Sequence, residues 1–161
     1  MMLTMSSLKD YIANYESSTQ FFLNLARGVQ KDQLDTKHEN GWSARQIIHH
    51  MADSEAQSYA RLRRLVAEPE GSLIQGYDES AWATAEFLGY ETGDVTNSIA
   101  VYASVRAGSL DVLKRLSDAD LAKWGEHSER GKMTVKDWLD SYTNHPHDHG
   151  DQLVRALKGQ E

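Results

Sequence analysis

The chain of 161 residues predicts an all-α fold, a four-helix bundle with short extra helices in its connections. Three observations carry this. Only two prolines occur, at positions 69 and 146. Apolar residues recur at three- and four-residue spacing over four long stretches. Two of those stretches open with the same capping grammar. The length fits one domain over residues 1–161, large enough to bury a core of its own.

The first helix is expected over residues 7–26, where Leu8, Tyr11, Ile12, Tyr15, Phe22, Leu23 and Ala26 form one stripe and Gly28 offers a stop. A polar connection over 31–40 leads to the second. There Ser43 and Gln46 form a capping box, Trp42 and Ile47 a hydrophobic staple, and Pro69 closes a helix running from 44 to about 67. Residues 68–77 read as a loop and 78–87 as a short helix with Trp82 turned inward. A third long helix is predicted over 94–116, burying Ile99, Tyr102, Ala103, Leu110 and Leu113, with Gly108 as its weak point. Ser117-Asp118-Ala119-Asp120 caps a further turn or two. Residues 125–132 read as a polar loop, which makes His127 a surface residue. The last helix repeats the grammar of the second, with Thr134 and Asp137 as the box and Met133 and Trp138 as the staple. Pro146 lies inside it, removes one backbone donor and predicts a bend near residues 142–145.

Composition removes several function classes. A net charge of −7 argues against general nucleic-acid binding, and the one basic run, Arg61-Leu62-Arg63-Arg64, reads as a solvated helix face. The opening MMLTMSSLKDYIANYE continues as an acidic amphipathic stretch rather than an apolar run, so no signal peptide is expected there. No segment has the apolar length to span a bilayer, and a cytoplasmic protein without a membrane partner follows. There is no cysteine, so the protein brings no thiolate of its own, and any metal must be held by nitrogen and oxygen.

Residues 142–153 hold three of the seven histidines. Val135, Trp138, Leu139 and Tyr142 set an apolar register that Leu153, Ala156 and Leu157 continue, and it places His145 and His149 on the inward face. One helical turn apart, two imidazoles converge on a point in front of the helix, as a transition metal requires of paired ligands. His147 falls about 200° away from His145 and looks elsewhere. The ordinary alternative is a pair of hydrogen-bonded core histidines. A third imidazole is on offer in the second helix, which carries both His49 and His50. His50 lies on the stripe of Ile47, Met51, Ser54, Ser58 and Leu62, and His49 on that of Ile48, Ala52, Tyr59 and Val66. Periodicity does not choose between them.

Three segments together resemble one family. They are Gly41-Trp42-Ser43-Ala44-Arg45-Gln46-Ile47-Ile48-His49-His50-Met51-Ala52-Asp53-Ser54-Glu55, Tyr77-Asp78-Glu79-Ser80-Ala81-Trp82, and His145-x-x-x-His149-x-x-Gln152-Leu153. In this order, over about residues 7–158, they look like the DinB superfamily, and within it the YfiT-like branch described as metal-dependent hydrolases and including bacillithiol transferases. The resemblance implies a four-helix bundle, often a homodimer. It also implies a nickel, zinc or iron ion held by His50, His145 and His149, His50 being the histidine directly before the Met51-Ala52-Asp53-Ser54 stretch. Three imidazoles leave a coordination position open, as catalytic sites do. The implied activity is hydrolysis, or transfer of a low-molecular-weight thiol, on a small electrophilic substrate, the thiol arriving from outside. The rival expectation is a non-catalytic stress-response or binding protein with a structural or vestigial metal; a further rival has no metal, its histidines bonded to one another and to carboxylates. Asp53, Glu55 and Asp148 are the nearby carboxylates able to accept an imidazole N–H, although Glu55 reads most simply as a solvated helix residue. Tyr142, one turn before His145, lines the site or packs in the core. Tyr142, Glu55 and Asp148 are therefore the candidate catalytic helpers.

Overall fold

The computed structural model describes residues 7–161. The reading of the N-terminal segment falls in part on residues 1–6, outside the described residues. In chain order the elements are α1 (Leu8–Gly28), α2 (Ala44–Ala67), β1 (Leu73–Ile74), α3 (Glu79–Thr84), α4 (Thr96–Leu113), β2 (Trp124–His127), β3 (Gly131–Thr134) and α5 (Val135–Leu157). Short 3₁₀ turns at Lys31–Gln33, Glu86–Leu88 and Asp118–Ala122 fill the connections.

Both predicted capping boxes form. Ser43 N–H donates to Gln46 Oε1 at 2.8 Å while Gln46 N–H donates to Ser43 Oγ at 3.2 Å. Thr134 and Asp137 make the same reciprocal pair at 2.9 and 3.0 Å. These boxes satisfy orphan amides of the first turn and fix where α2 and α5 begin. The four long helices then pack in a ring, α1 against α4 and α5, and α2 against the same two. α2 and α5 are thus neighbours, and their inward faces meet.

The core is two apolar halves with a polar belt between them. Tyr15, Leu62, Leu65, Ile74, Leu113, Val135, Trp138 and Leu139 belong to one half. Phe22, Ala44, Ile47, Ile48, Met51, Tyr102, Leu153 and Ala156 belong to the other. The belt consists of buried Ser18 and Thr19 from α1, Ser54, Glu55 and Ser58 from α2, and Arg106 and Ser109 from α4. Burying so many polar groups is tolerable only when they satisfy one another.

Several expectations need correction. Residues 125–132 are not a loop: β2 pairs antiparallel with β3, and β1 joins it parallel, in the order β1-β2-β3. His127 consequently points inward at 3% exposure, with Nδ1 accepting Glu129 N–H at 3.2 Å. Gly125 is required in β2, because a Cβ there would meet Ile74 Cγ1 at 2.7 Å and the Ser72 carbonyl oxygen at 2.8 Å. The helix expected over 78–87 stops at Thr84, and Phe87 beyond it is fully exposed. Trp82 is only half-buried, its ring 4.7 Å from that of Tyr77. Arg61 is not part of a solvated face but 9% exposed.

Candidate metal centre

α2 and α5 bring His50, His145 and His149 together, one ring nitrogen from each lying within 4.8 Å of the others. His50 Nε2 and His149 Nε2 are 3.2 Å apart, close to the ~3.3 Å expected of two nitrogens on one tetrahedral zinc. The rings fit around a common point, with centroids 4.5 Å apart for His145 and His149, 4.6 Å for His50 and His149, and 5.6 Å for His50 and His145.

Two of the three rings are clamped from behind. His145 Nδ1–H donates to Glu55 Oε1 at 3.3 Å, and His149 Nδ1–H to Gln152 Oε1 at 2.7 Å. An acceptor behind Nδ1 fixes the tautomer in which Nε2 presents a lone pair forward, the arrangement that supports metal-bound imidazoles. With His149 so fixed, His50 Nε2–H donates to His149 Nε2 in the free protein, and His50 Nδ1 is left buried without a partner. Burial, then the neighbouring His149 and His145, push His50 down to about 3. Burial and His145 hold His149 at about 4. Both are therefore neutral near pH 7, the form in which imidazole ligates a metal. The donor set fits a borderline cation such as zinc or nickel.

Glu55 is fully buried, which corrects its reading as a solvated residue. Its Oε1 takes a second hydrogen bond from Arg106 Nη1 at 3.0 Å, and Oε2 takes one from Ser58 Oγ at 2.8 Å. Burial raises the carboxyl, but Arg106, His145 and Ser58 outweigh it and hold Glu55 ionised below the ordinary range. Arg106, itself on α4, bonds to the three other long helices. Besides Glu55 on α2, it donates to Thr19 Oγ1, Ser18 Oγ and the Tyr15 carbonyl on α1, and at 2.6 Å to the Tyr142 carbonyl on α5. That last oxygen is the one that Pro146, four residues on, cannot reach with an N–H. α5 continues from Val135 to Leu157 through the proline.

The other candidates lie elsewhere. Tyr142 is buried and its hydroxyl accepts from Arg61 Nη1 at 2.8 Å. Asp148 is exposed and bonds no histidine; Gln152 holds His149 instead. Asp53 accepts from the Tyr90 hydroxyl at 2.7 Å. His49 turns away from the centre, toward Ser98 Oγ at 2.8 Å and the Gly93 carbonyl at 3.1 Å. His147 is exposed beside Phe21. Arg106, Arg61 and Ser54, whose Oγ is 3.5 Å from His145 Nε2, escape a reading of the sequence. Only Gln152, three residues after His149 on the same helix, carries a local signal.

A helical bundle with three converging imidazoles on two adjacent helices defines a class, and the chain belongs to the DinB superfamily, whose model matches residues 14–153. The particular relatives are YfiT-like. The protein of Bacillus subtilis named "Putative metal-dependent hydrolase YfiT" is 33% identical over 119 residues, covering 73% of this chain and 65% of that protein. A protein of Oceanobacillus iheyensis whose name also reads "Putative metal-dependent hydrolase" is 28% identical over 152 residues, 94% of this chain and 86% of its own. The solved structure of YfiT, described as "a probable metal-dependent hydrolase with an unusual four-helix bundle topology", matches at a TM-score of 0.84 and 25% identity, covering 100% of this chain and 94% of that one.

Proposed function

We propose that the protein is a metal-dependent enzyme in which His50, His145 and His149 hold one nickel, zinc or iron ion and act on a small electrophilic substrate, by hydrolysis or by transfer of a low-molecular-weight thiol. The observation that carries this reading is the convergence of three imidazoles, two of them clamped from behind by Glu55 and Gln152. When bound, the ion supplies Lewis-acid activation of a water or thiol nucleophile near neutral pH.

The chain's own groups do the rest. Glu55 keeps the proton on His145 Nδ1, so that Nε2 stays a donor of electrons rather than of a proton. Arg106 keeps Glu55 ionised and anchors the α5 backbone beside Pro146, which fixes the spacing of His145 and His149. The chain contains no cysteine, so a thiol nucleophile is a cosubstrate. We also infer a homodimer formed through α4, where Ala100, Val101, Ser104 and Ala107 face outward.

The test is turnover of a panel of activated esters, epoxides and chlorinated arenes by metal-loaded protein, with and without added thiol. The reading predicts turnover of at least one class and its loss in His149→Ala. Activity unchanged in His149→Ala rules out the assigned centre. A loaded protein inert toward every class points to the non-catalytic binding role.

A further inference from the structure

We propose that the cavity beside His145 is an anion subsite, and that the molecule processed at the histidine centre carries a carboxylate seated against Arg61 and Arg130. This rests on the reading of His50, His145 and His149 as the reacting centre, and adds the charged group by which its substrate is recognised.

The cavity measures about 250 Å³ and is bordered by Arg61, Arg130, Tyr142, His145, Glu79 and Asp148, a size just below the usual range of small-molecule sites and suited to a small charged group. Ser54 also lines it, and Ser54 Oγ lies 3.5 Å from His145 Nε2, so the space reaches the nitrogen that faces the centre. The ring of Tyr142 is 6.0 Å from that of His145 and its hydroxyl meets Arg61 at 2.8 Å, which places the guanidinium one aromatic ring away from the histidines.

Arg61 is the group that calls for a ligand. It is 9% exposed, yet no carboxylate among the described residues lies within ion-pair distance. Its Nη1 donates to the Tyr142 hydroxyl and its Nη2 to the Gln75 carbonyl at 3.0 Å, while Nε has no partner. A guanidinium has five N–H donors, so three remain unused. Arg106, fully buried, shows the contrast, since it carries its counter-charge in Glu55. A buried cation without a counter-charge is costly, and an incoming anion removes that cost. Arg130 is exposed at the same cavity and adds a second positive group. Burial and then the charges of Arg61 and Arg130 hold His127 below the ordinary imidazole range, so the two cations act on one region.

The rim decides which anion. Glu79 and Asp148 are both exposed there, and they repel a doubly charged phosphate more strongly than a singly charged carboxylate. The planar fork of arginine matches a carboxylate.

The test compares two metal chelators on zinc-loaded protein by calorimetry: acetohydroxamate, with a neutral tail, and succinic acid monohydroxamate, with a carboxylate tail. The carboxylate-tailed probe is expected to bind about tenfold tighter, as one charge-assisted contact supplies. Arg130→Gln, at an exposed position, and Arg61→Gln should each shrink that preference while leaving acetohydroxamate binding unchanged; Asp148→Asn should widen it. A phosphonate-tailed hydroxamate should bind more weakly than the carboxylate. Equal binding of the first two probes by the wild type, or a preference undiminished in both arginine variants, overturns the subsite and leaves the metal reading standing. Binding of neither probe overturns the metal reading, and the subsite with it.

Discussion

Arg106 meets two needs at the centre of the bundle: the charge of Glu55, which orients His145, and the Tyr142 carbonyl that Pro146 deprives of its helical donor. Arg106→Met should destabilise the fold by about 3–5 kcal/mol, the usual cost of stranding one partner of a buried pair; the midpoint of urea unfolding measures it. Adding Glu55→Gln should restore part of that loss, and a double variant no better than the single contradicts the pairing. Gln152 acts at shorter range. Gln152→Ala should weaken metal binding by about 10–100-fold with little change in stability, as loss of a ligand's hydrogen-bond acceptor does. A further consequence concerns pH. His50 and His149 take up protons near 6.5 in the unfolded chain, but only near about 3 and about 4 when folded. Between those limits the unfolded state binds more protons, so unfolding becomes easier as pH falls below about 6.5. The metal-free protein should therefore melt at a lower temperature at pH 5 than at pH 7.5, and calorimetric scans showing equal or reversed values would contradict the neutral, buried rings.

The long helices are legible because each announces itself in a local code. Ser43-x-x-Gln46 and Thr134-x-x-Asp137 state where α2 and α5 begin, and both boxes form as written. Ser43→Ala and Thr134→Ala should each cost about 1 kcal/mol, and the two costs should add, since the caps share no partner; a double variant measured by chemical denaturation checks the sum. The small sheet has no such code. β1 has two residues and β2 and β3 four each, too few for alternation to rise above the polar composition of residues 125–132. Its one physical trace is Gly125, where any side chain collides with Ile74 and the Ser72 carbonyl. Gly125→Ala should cost about 1–3 kcal/mol, as overpacking does. His127, read as a surface residue, is buried because β2 pairs on both sides.

At the scale of the whole molecule, the ring order of helices makes the site. α2 lies beside α5, and the polar belt between two apolar halves runs through their contact. His145 and His149 are legible from their spacing on one helix. The choice between His49 and His50 is not, because both are buried, at 7% and 2% exposure, and only the neighbours of each ring separate them. The family resemblance supplies His50; in the fold His49 faces Ser98 and the Gly93 carbonyl, while His50 faces His149. Arg106 and Arg61 are illegible for the same reason, their partners lying 36 to 91 residues away for Arg106 and 14 and 81 for Arg61. Among the described residues no helix is long and apolar enough to cross a membrane. The dimer proposed through α4 should appear in sedimentation at micromolar concentration, and Val101→Glu, at an exposed position, should shift it to monomer. The convergence of three imidazoles is tested most directly by elemental analysis of protein purified without a histidine tag and loaded with zinc or nickel. About one equivalent per chain is predicted, falling to a small fraction in His50→Ala, His145→Ala and His149→Ala. Less than about a tenth of an equivalent in the wild type, or full occupancy in the variants, would contradict a shared metal centre.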